Sequence, residues 1–137
     1  MAIQGNAHGT DNTAILDALE REPKRLRGVA IVKEGTTRND VRRMADTGVR
    51  ALRFHHQVRQ GGTYSSQGIT AFEKLAPHMA EFGMHVQLFM DARELPSVLP
   101  RLKDWKAPIV LDHFGSTKAA EGVQAPGFQA LRKYLSE

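Results

Sequence analysis

Short apolar runs alternate with longer segments of helical periodicity along the whole chain, and this alternation constrains the fold more than any other feature. The runs are Ile3-Gln4, Val29-Ala30-Ile31-Val32, Val49 to Phe54, Val86 to Met90 and Ile109-Val110-Leu111. A helix following each run gives strict β-α alternation, which implies a parallel sheet with right-handed crossovers. The first helix is expected to begin at Thr10 or Asp11, to carry Ile15, Leu16 and Leu19 inward, and to stop at Pro23. The second is capped by Thr37 or Asn39, buries Val41, Met44 and Ala45, and ends at Gly48. The third spans about 69–82, where Pro77 predicts a kink or two shorter helices. The fourth covers about 93–105, interrupted at Pro96 and Pro100, and the last about 128–135.

At 137 residues the chain suits one domain, 1–137. With no cysteine, a disulfide scaffold and a Cys-based zinc module are excluded. No apolar run approaches the ~18 residues of a membrane span, and the start, Met1-Ala2-Ile3-Gln4-Gly5, is not a signal peptide. These features predict a cytoplasmic chain with no membrane partner. The net charge of +4 invites a nucleic-acid reading, but Lys24, Arg25, Arg27, Arg42, Arg43, Arg101 and Lys103 are scattered among acids without interleaved aromatics. A small anionic substrate suits that charge equally well, so no nucleic-acid partner is expected from charge alone.

Strands of a parallel sheet are buried on both faces and should read as continuous apolar runs. Two depart from this. Arg53 and His55 share parity with Val49 and Ala51, and His85, Gln87 and Phe89 alternate with Val86, Leu88 and Met90. A barrel gives such polar groups a use, because its strand ends converge on one mouth where the chemistry sits. His8 follows the first run, Arg53 and His55 end the third, and Asp112-His113 ends the fifth. His85 fits this scheme least well, since it opens its strand. A full (β/α)8 barrel takes ~250 residues, so this chain holds about five of the eight units.

Each candidate has two readings. His85 and His113 lie on consecutive runs and could share a divalent metal or act as general bases; equally, each could be a buried histidine bonded to a backbone carbonyl. Arg53 and Arg59 flank a loop and could grip a dicarboxylate or phosphorylated substrate; equally, Arg53 could pair with Asp46 or Glu81. The turn at residues 8–12 offers helix-start N–H groups to an anion, or simple Asx and Ser/Thr capping.

Four blocks occur in order: His8-Gly9-Thr10-Asp11-Asn12, Gly48-Val49-Arg50-Ala51-Leu52-Arg53-Phe54, Gly83-Met84-His85-Val86-Gln87-Leu88 and Leu111-Asp112-His113-Phe114-Gly115. Together they resemble successive blocks of the amidohydrolase-related (amidohydrolase 2) family of TIM-barrel hydrolases. The resemblance implies a partial (β/α)8 barrel matching about the second to sixth units and lacking the first and last barrel strands, as an internal fragment would. It implies a hydrolase of a lactone or amide bond in a small carboxylated ring substrate. Arg53 and Arg59 match a pair of substrate-carboxylate arginines, and His113 a histidine beside the scissile carbonyl. His85 matches a second catalytic histidine, a zinc ligand in metal-dependent relatives, so the cofactor is either absent or a single divalent metal. His8, Asn6 and Phe89 match substrate-contact positions, with Asn6 in place of a serine and Phe89 in place of a tyrosine. Arg53, His85 and His113 are thus expected to face one centre. The alternative is a non-catalytic truncated domain that assembles, as a homo-oligomer for example, through its open sheet edges.

Overall fold

A computed structural model describes residues 1–56, 68–102 and 104–136, with the backbone alone at 58–59 and 62–63. In chain order the elements are β1 (Ala2–Ile3), α1 (Thr13–Arg21), β2 (Gly28–Ala30), α2 (Arg38–Thr47), β3 (Val49–His56), β4 (Val58–Arg59), β5 (Gly62–Thr63), α3 (Ile69–Glu81), β6 (His85–Met90), α4 (Leu95–Leu102), β7 (Ile109–Leu111) and α5 (Pro126–Ser136). Five strands form one parallel sheet in the order β1-β2-β3-β6-β7. The sheet follows chain order without closing, so β1 and β7 are its edges. The short antiparallel pair β4-β5 lies outside this alternation and has no counterpart in the apolar pattern.

The boundaries differ from the sequence reading where side chains replace backbone ladder bonds. β2 ends at Ala30 although Ile31 and Val32 remain buried. Beyond it the Asn12 amide stands in for a neighbouring strand: its Nδ2 donates to the Ile31 carbonyl at 2.7 Å and its Oδ1 accepts from the Ile31 N–H at 3.2 Å. Asp11 accepts from the Thr13 N–H at 3.0 Å, as an expected capping side chain, although the N-cap position itself falls one residue later, at Asn12. α3 runs unbroken from Ile69 to Glu81 with Pro77 inside it. Proline there costs the helix one hydrogen bond, whose acceptor would be the Glu73 carbonyl. The fourth helical segment begins as a 3-10 turn, Ala92–Glu94, under the Asp91 side-chain cap, and α4 follows from Leu95.

Side-chain alternation sorts the sheet into two faces. Leu52, Phe54, Val86, Leu88 and Met90 join Leu19, Val41, Phe72, Met79, Val98 and Leu131 of the helices in one core. Ala51, Arg53 and His55 stand on the other face, in register with His85, Gln87 and Phe89. The helices therefore cover one face, and the polar positions project from the other. Among the described residues no helix is long and apolar enough to cross a membrane.

α2 shows how local chemistry sets an element's start. Thr37 accepts from the Asp40 N–H, while the Asp40 carboxylate takes the Thr37 N–H at 2.9 Å and its hydroxyl at 2.7 Å, completing a capping box. These bonds, with help from Arg43, hold the Asp40 carboxyl down at about 2. A carboxyl with a lowered folded-state pKa stabilises above its unfolded value and loses that contribution as pH falls. Stability should therefore drop between pH 3.8 and about 2, with a component that Asp40→Asn removes. Thr37→Ala should cost about 1 kcal/mol at pH 7 by urea denaturation.

Candidate active site

Three adjacent parallel strands deliver three polar side chains to the face that the helices leave open. Arg53 of β3 stands level with Gln87 of β6, and Asp112 follows directly on β7. All three are buried, at 9%, 6% and 7% exposure, so their polar groups need partners, and several of them meet one another. The Arg53 Nε donates to one Asp112 carboxylate oxygen at 2.7 Å, and the Gln87 amide donates to the other. Both expected partners of Arg53 are engaged elsewhere: Asp46 lies 3.7 Å from Arg42, and Glu81 binds Arg38. The pairing of Arg53 with Asp46 or Glu81 is thus corrected to Asp112, which alone sits on its face of the sheet.

Beyond Asp112 the chain makes a left-handed turn. His113, Phe114, Gly115 and Ser116 have φ of 50°, 51°, 64° and 54°. Such a conformation costs an L-residue roughly 1–2 kcal/mol. Gly115 is required for a second reason, because a Cβ there would stand 2.6 Å from the Ala92 Cβ.

The turn brings His113, which is exposed, against the ring of Phe89. That ring is a hub. Its centroid lies 5.5 Å from that of His113 and 5.4 Å from that of His55, both edge-on, and the Arg53 guanidinium sits over it at 5.3 Å. His55 has a buried Nε2 without a hydrogen-bond partner among the described residues. Its pKa is lowered first by burial and then by Arg53, with Asp112 opposing.

Arg53, Phe89 and His113 are therefore brought together; His85 is not. It opens β6 in register with Ala51, whereas Asp112 follows Leu111, the partner of Leu88. Four strand positions, or roughly 13 Å at the usual rise, separate their levels. All strands of a parallel sheet run the same way, so a residue opening one strand lies at the opposite rim from a residue closing the next. The His85 ring instead bonds the Arg50 backbone, an interaction that partly offsets the lowering of its pKa by burial. The expectation of one centre shared by Arg53, His85 and His113 is corrected accordingly. Asn6 and His8 lie exposed on a 3-10 turn after edge strand β1, with no hydrogen bond or ring contact to the cluster among the described residues. The Arg59 side chain lies outside the described residues.

No three histidine, aspartate or glutamate side chains among the described residues converge as metal ligands. With His85 and His113 at opposite rims and Asp112 committed to Arg53 and Gln87, these three do not form a divalent-ion site among the described residues.

Gln87 and Asp112 have no assigned role in the sequence reading, and Asp112 and His55 stand there as strand-end groups at the barrel mouth. Signals for the first two existed: Gln87 is polar within a buried run, and Asp112 shares the parity of Val110 at the end of the neighbouring strand. An inward arginine needs an acid on its own face, and parity would have chosen Asp112.

His55, His56 and His85 all have lowered pKa values, each chiefly through burial. Groups kept neutral by the fold destabilise it once protons become available to the unfolded chain. The unfolding free energy should fall as pH drops through 6.5, their ordinary value, as urea titrations at pH 7.5 and 5.5 would show.

Comparison with known proteins follows this geometry. Residues 2–137 match the amidohydrolase family model. A 2-pyrone-4,6-dicarboxylate hydrolase from Comamonas testosteroni is 28% identical over 137 residues, all of this chain and 44% of that protein. A solved structure named for 2-pyrone-4,6-dicarboxylic acid hydrolase from Pseudomonas putida superposes with a TM-score of 0.79 at 30% identity, covering 96% of this chain and 47% of the other. A third, from Acinetobacter baumannii, is named for the same activity with citric acid bound; its TM-score is 0.78 at 25% identity, covering 96% of this chain and 48% of its own. The chain thus spans under half the length of these relatives, and its open sheet is a part of a TIM barrel. Family match, strand order and structural likeness agree: the chain belongs to the amidohydrolase family.

Proposed function

We propose that this chain carries the carboxylate-binding and carbonyl-facing part of a hydrolase acting on a small carboxylated ring compound, a lactone or a cyclic amide. The observation that carries the reading is the placement of the Arg53 guanidinium and the exposed His113 imidazole against the same Phe89 ring, in the C-terminal half of β6 and just past the end of β7. Barrel enzymes place their chemistry at that rim. The relatives' names point to dicarboxylate lactones, and the Acinetobacter baumannii structure holds a tricarboxylic acid.

In this reading a substrate carboxylate meets the terminal nitrogens of Arg53, for which no described residue supplies an acceptor. Charge-assisted bonds of this kind contribute about 1.5–3 kcal/mol each. Arg59, by its match to the second substrate-carboxylate arginine of the family, supplies a second cation. His113 donates a hydrogen bond to the ring carbonyl oxygen, stabilising the oxyanion that forms as water adds to the carbon. Collapse of that intermediate breaks the ring bond, and the leaving oxygen or nitrogen takes up the proton the water loses. Phe89 presents an apolar ring to the substrate and no phenol donor. No residue of this chain is assigned to activate the water, and no metal is assigned to it.

The test is binding and ring opening of 2-pyrone-4,6-dicarboxylate by this chain, followed calorimetrically and by loss of the pyrone absorbance. Saturable binding that His113→Asn and Arg59→Met each weaken about tenfold is expected. No saturable binding, or binding that ignores both substitutions, would contradict the reading.

A second reading has its own observation. The edge strands are uncovered, and Ile3 and Val110 beside them are 47% and 41% exposed. Unpaired edges recruit partners, so a copy of this chain could seat there without catalysis. Light scattering decides: a monomer at all concentrations argues against it.

A further inference from the structure

Among the cluster's groups, the binding reading leaves the His55 imidazole, the Gln87 amide and the Asp112 carboxylate unused, and the last two are bonded to each other. Neither reaches solvent, yet both lie one residue or one strand away from groups that do. The left-handed turn that follows is the other unexplained feature. Two non-glycine residues in succession, His113 and Phe114, hold a conformation that an unrestrained chain leaves. Two anchors bracket it. At its start both Asp112 oxygens are bound, one by Arg53 and one by Gln87. Near its end Gly115 packs on Ala92 so closely that no larger residue fits.

We propose that Gln87, Asp112 and the Nε edge of Arg53 form a clamp that sets the direction of the His113 imidazole, so that Gln87 and Asp112 are positioning residues for the site. The proposal rests on the hydrolase reading for its purpose, but its geometry does not. An ion pair alone would satisfy the buried charges; the third partner, donated from β6, removes the freedom of the carboxylate to rotate about the Arg53 Nε bond. A fixed carboxylate fixes the Asp112 backbone, and with it the residue that follows. The clamp also restricts Arg53. Its Nε edge is committed to Asp112, so a substrate carboxylate meets the guanidinium end-on, through the two terminal nitrogens, and approaches from the side of the Phe89 ring.

Gln87→Met keeps the length of the side chain and removes its donor while leaving the ion pair. Gly115→Ala loosens the turn from its other end without touching the clamp. Nuclear Overhauser contacts between the Phe89 and His113 rings are the readout, with those between Phe54 and Phe72 in the core as the measure of intact folding. In Gln87→Met the core contacts should persist and the Phe89–His113 contacts should fall several-fold; the affinity for 2-pyrone-4,6-dicarboxylate should fall about tenfold, as misdirected groups lose far more than their bond count suggests. Unchanged Phe89–His113 contacts in folded Gln87→Met would overturn the proposal. If that variant does not fold, Gln87→Asn, whose shorter amide withdraws from Asp112, decides by the same contacts, with Gly115→Ala as the reference for a loosened turn. Failure of the unaltered chain to bind the pyrone would defeat the hydrolase reading, while the ring contacts would still decide the clamp.

Discussion

Asp112→Ala is expected to lower the unfolding free energy by about 3–5 kcal/mol, the cost of leaving a buried guanidinium without its counter-charge. Arg53 is 9% exposed with its Nε edge against Asp112, so removing the carboxylate leaves a buried guanidinium without its counter-charge. The Gln87 amide loses its acceptor in the same step, adding the desolvation cost of a second polar group. The double replacement Arg53→Met with Asp112→Leu should recover at least half of the loss, because apolar residues of similar volume often match a buried pair in stability. Urea denaturation of the three proteins measures both effects. A loss below about 1 kcal/mol in Asp112→Ala would mean that the pair behaves as a solvated surface pair, and the buried clamp would be wrong.

Phe54→Ala should cost about 3–5 kcal/mol for a different reason. Phe54 is fully buried on the helix-covered face, one position along β3 from Arg53, with its ring 5.7 Å from Phe72 and edge-on to it. Phe72 in turn meets Trp105 at 5.2 Å, so the three rings tie β3, α3 and the segment after α4 into one layer. Removing the β3 end of such a stack leaves a cavity that neighbouring side chains fill only in part. Phe54→Leu should cost less than half as much. The two substitutions separate the faces of one strand: Asp112→Ala disturbs the polar face and the binding of the pyrone, whereas Phe54→Ala lowers stability and leaves the affinity of the folded fraction unchanged. If Phe54→Ala weakened binding as much as Asp112→Ala, the division of the sheet into a packing face and a chemical face would fail.

Much of this architecture is legible in the amino-acid order, because alternation of apolar runs with helical segments admits few topologies. All five parallel strands, the five helices and their packing faces lie where periodicity places them, to within a few residues. What periodicity misses is set by single side chains. Asn12 ends β2 early by acting as a strand of its own, and the Asp91 cap starts α4 with a 3-10 turn. The β4-β5 pair is too short to show any period. At the site, the resemblance led to residues by type, and type does not distinguish the two ends of a strand. His85 and His113 are both histidines on adjacent strands, yet one opens its strand and the other closes the next. Asp112 and His113 together are a weak signal in the amino-acid order, because adjacent strand residues face oppositely. In the structure the left-handed turn cancels that rule, swinging His113 back toward the ring on Asp112's own face.

The central claim is that a carboxylated ring compound meets this chain at the rim where β3, β6 and β7 end. Chemical-shift mapping of the labelled chain during titration with 2-pyrone-4,6-dicarboxylate tests it most directly. The account predicts that the largest saturating shifts fall on Arg53, Phe89 and His113, with the His85 imidazole unmoved. Shifts centred on His85 and the opposite rim, or none that saturate, would contradict it.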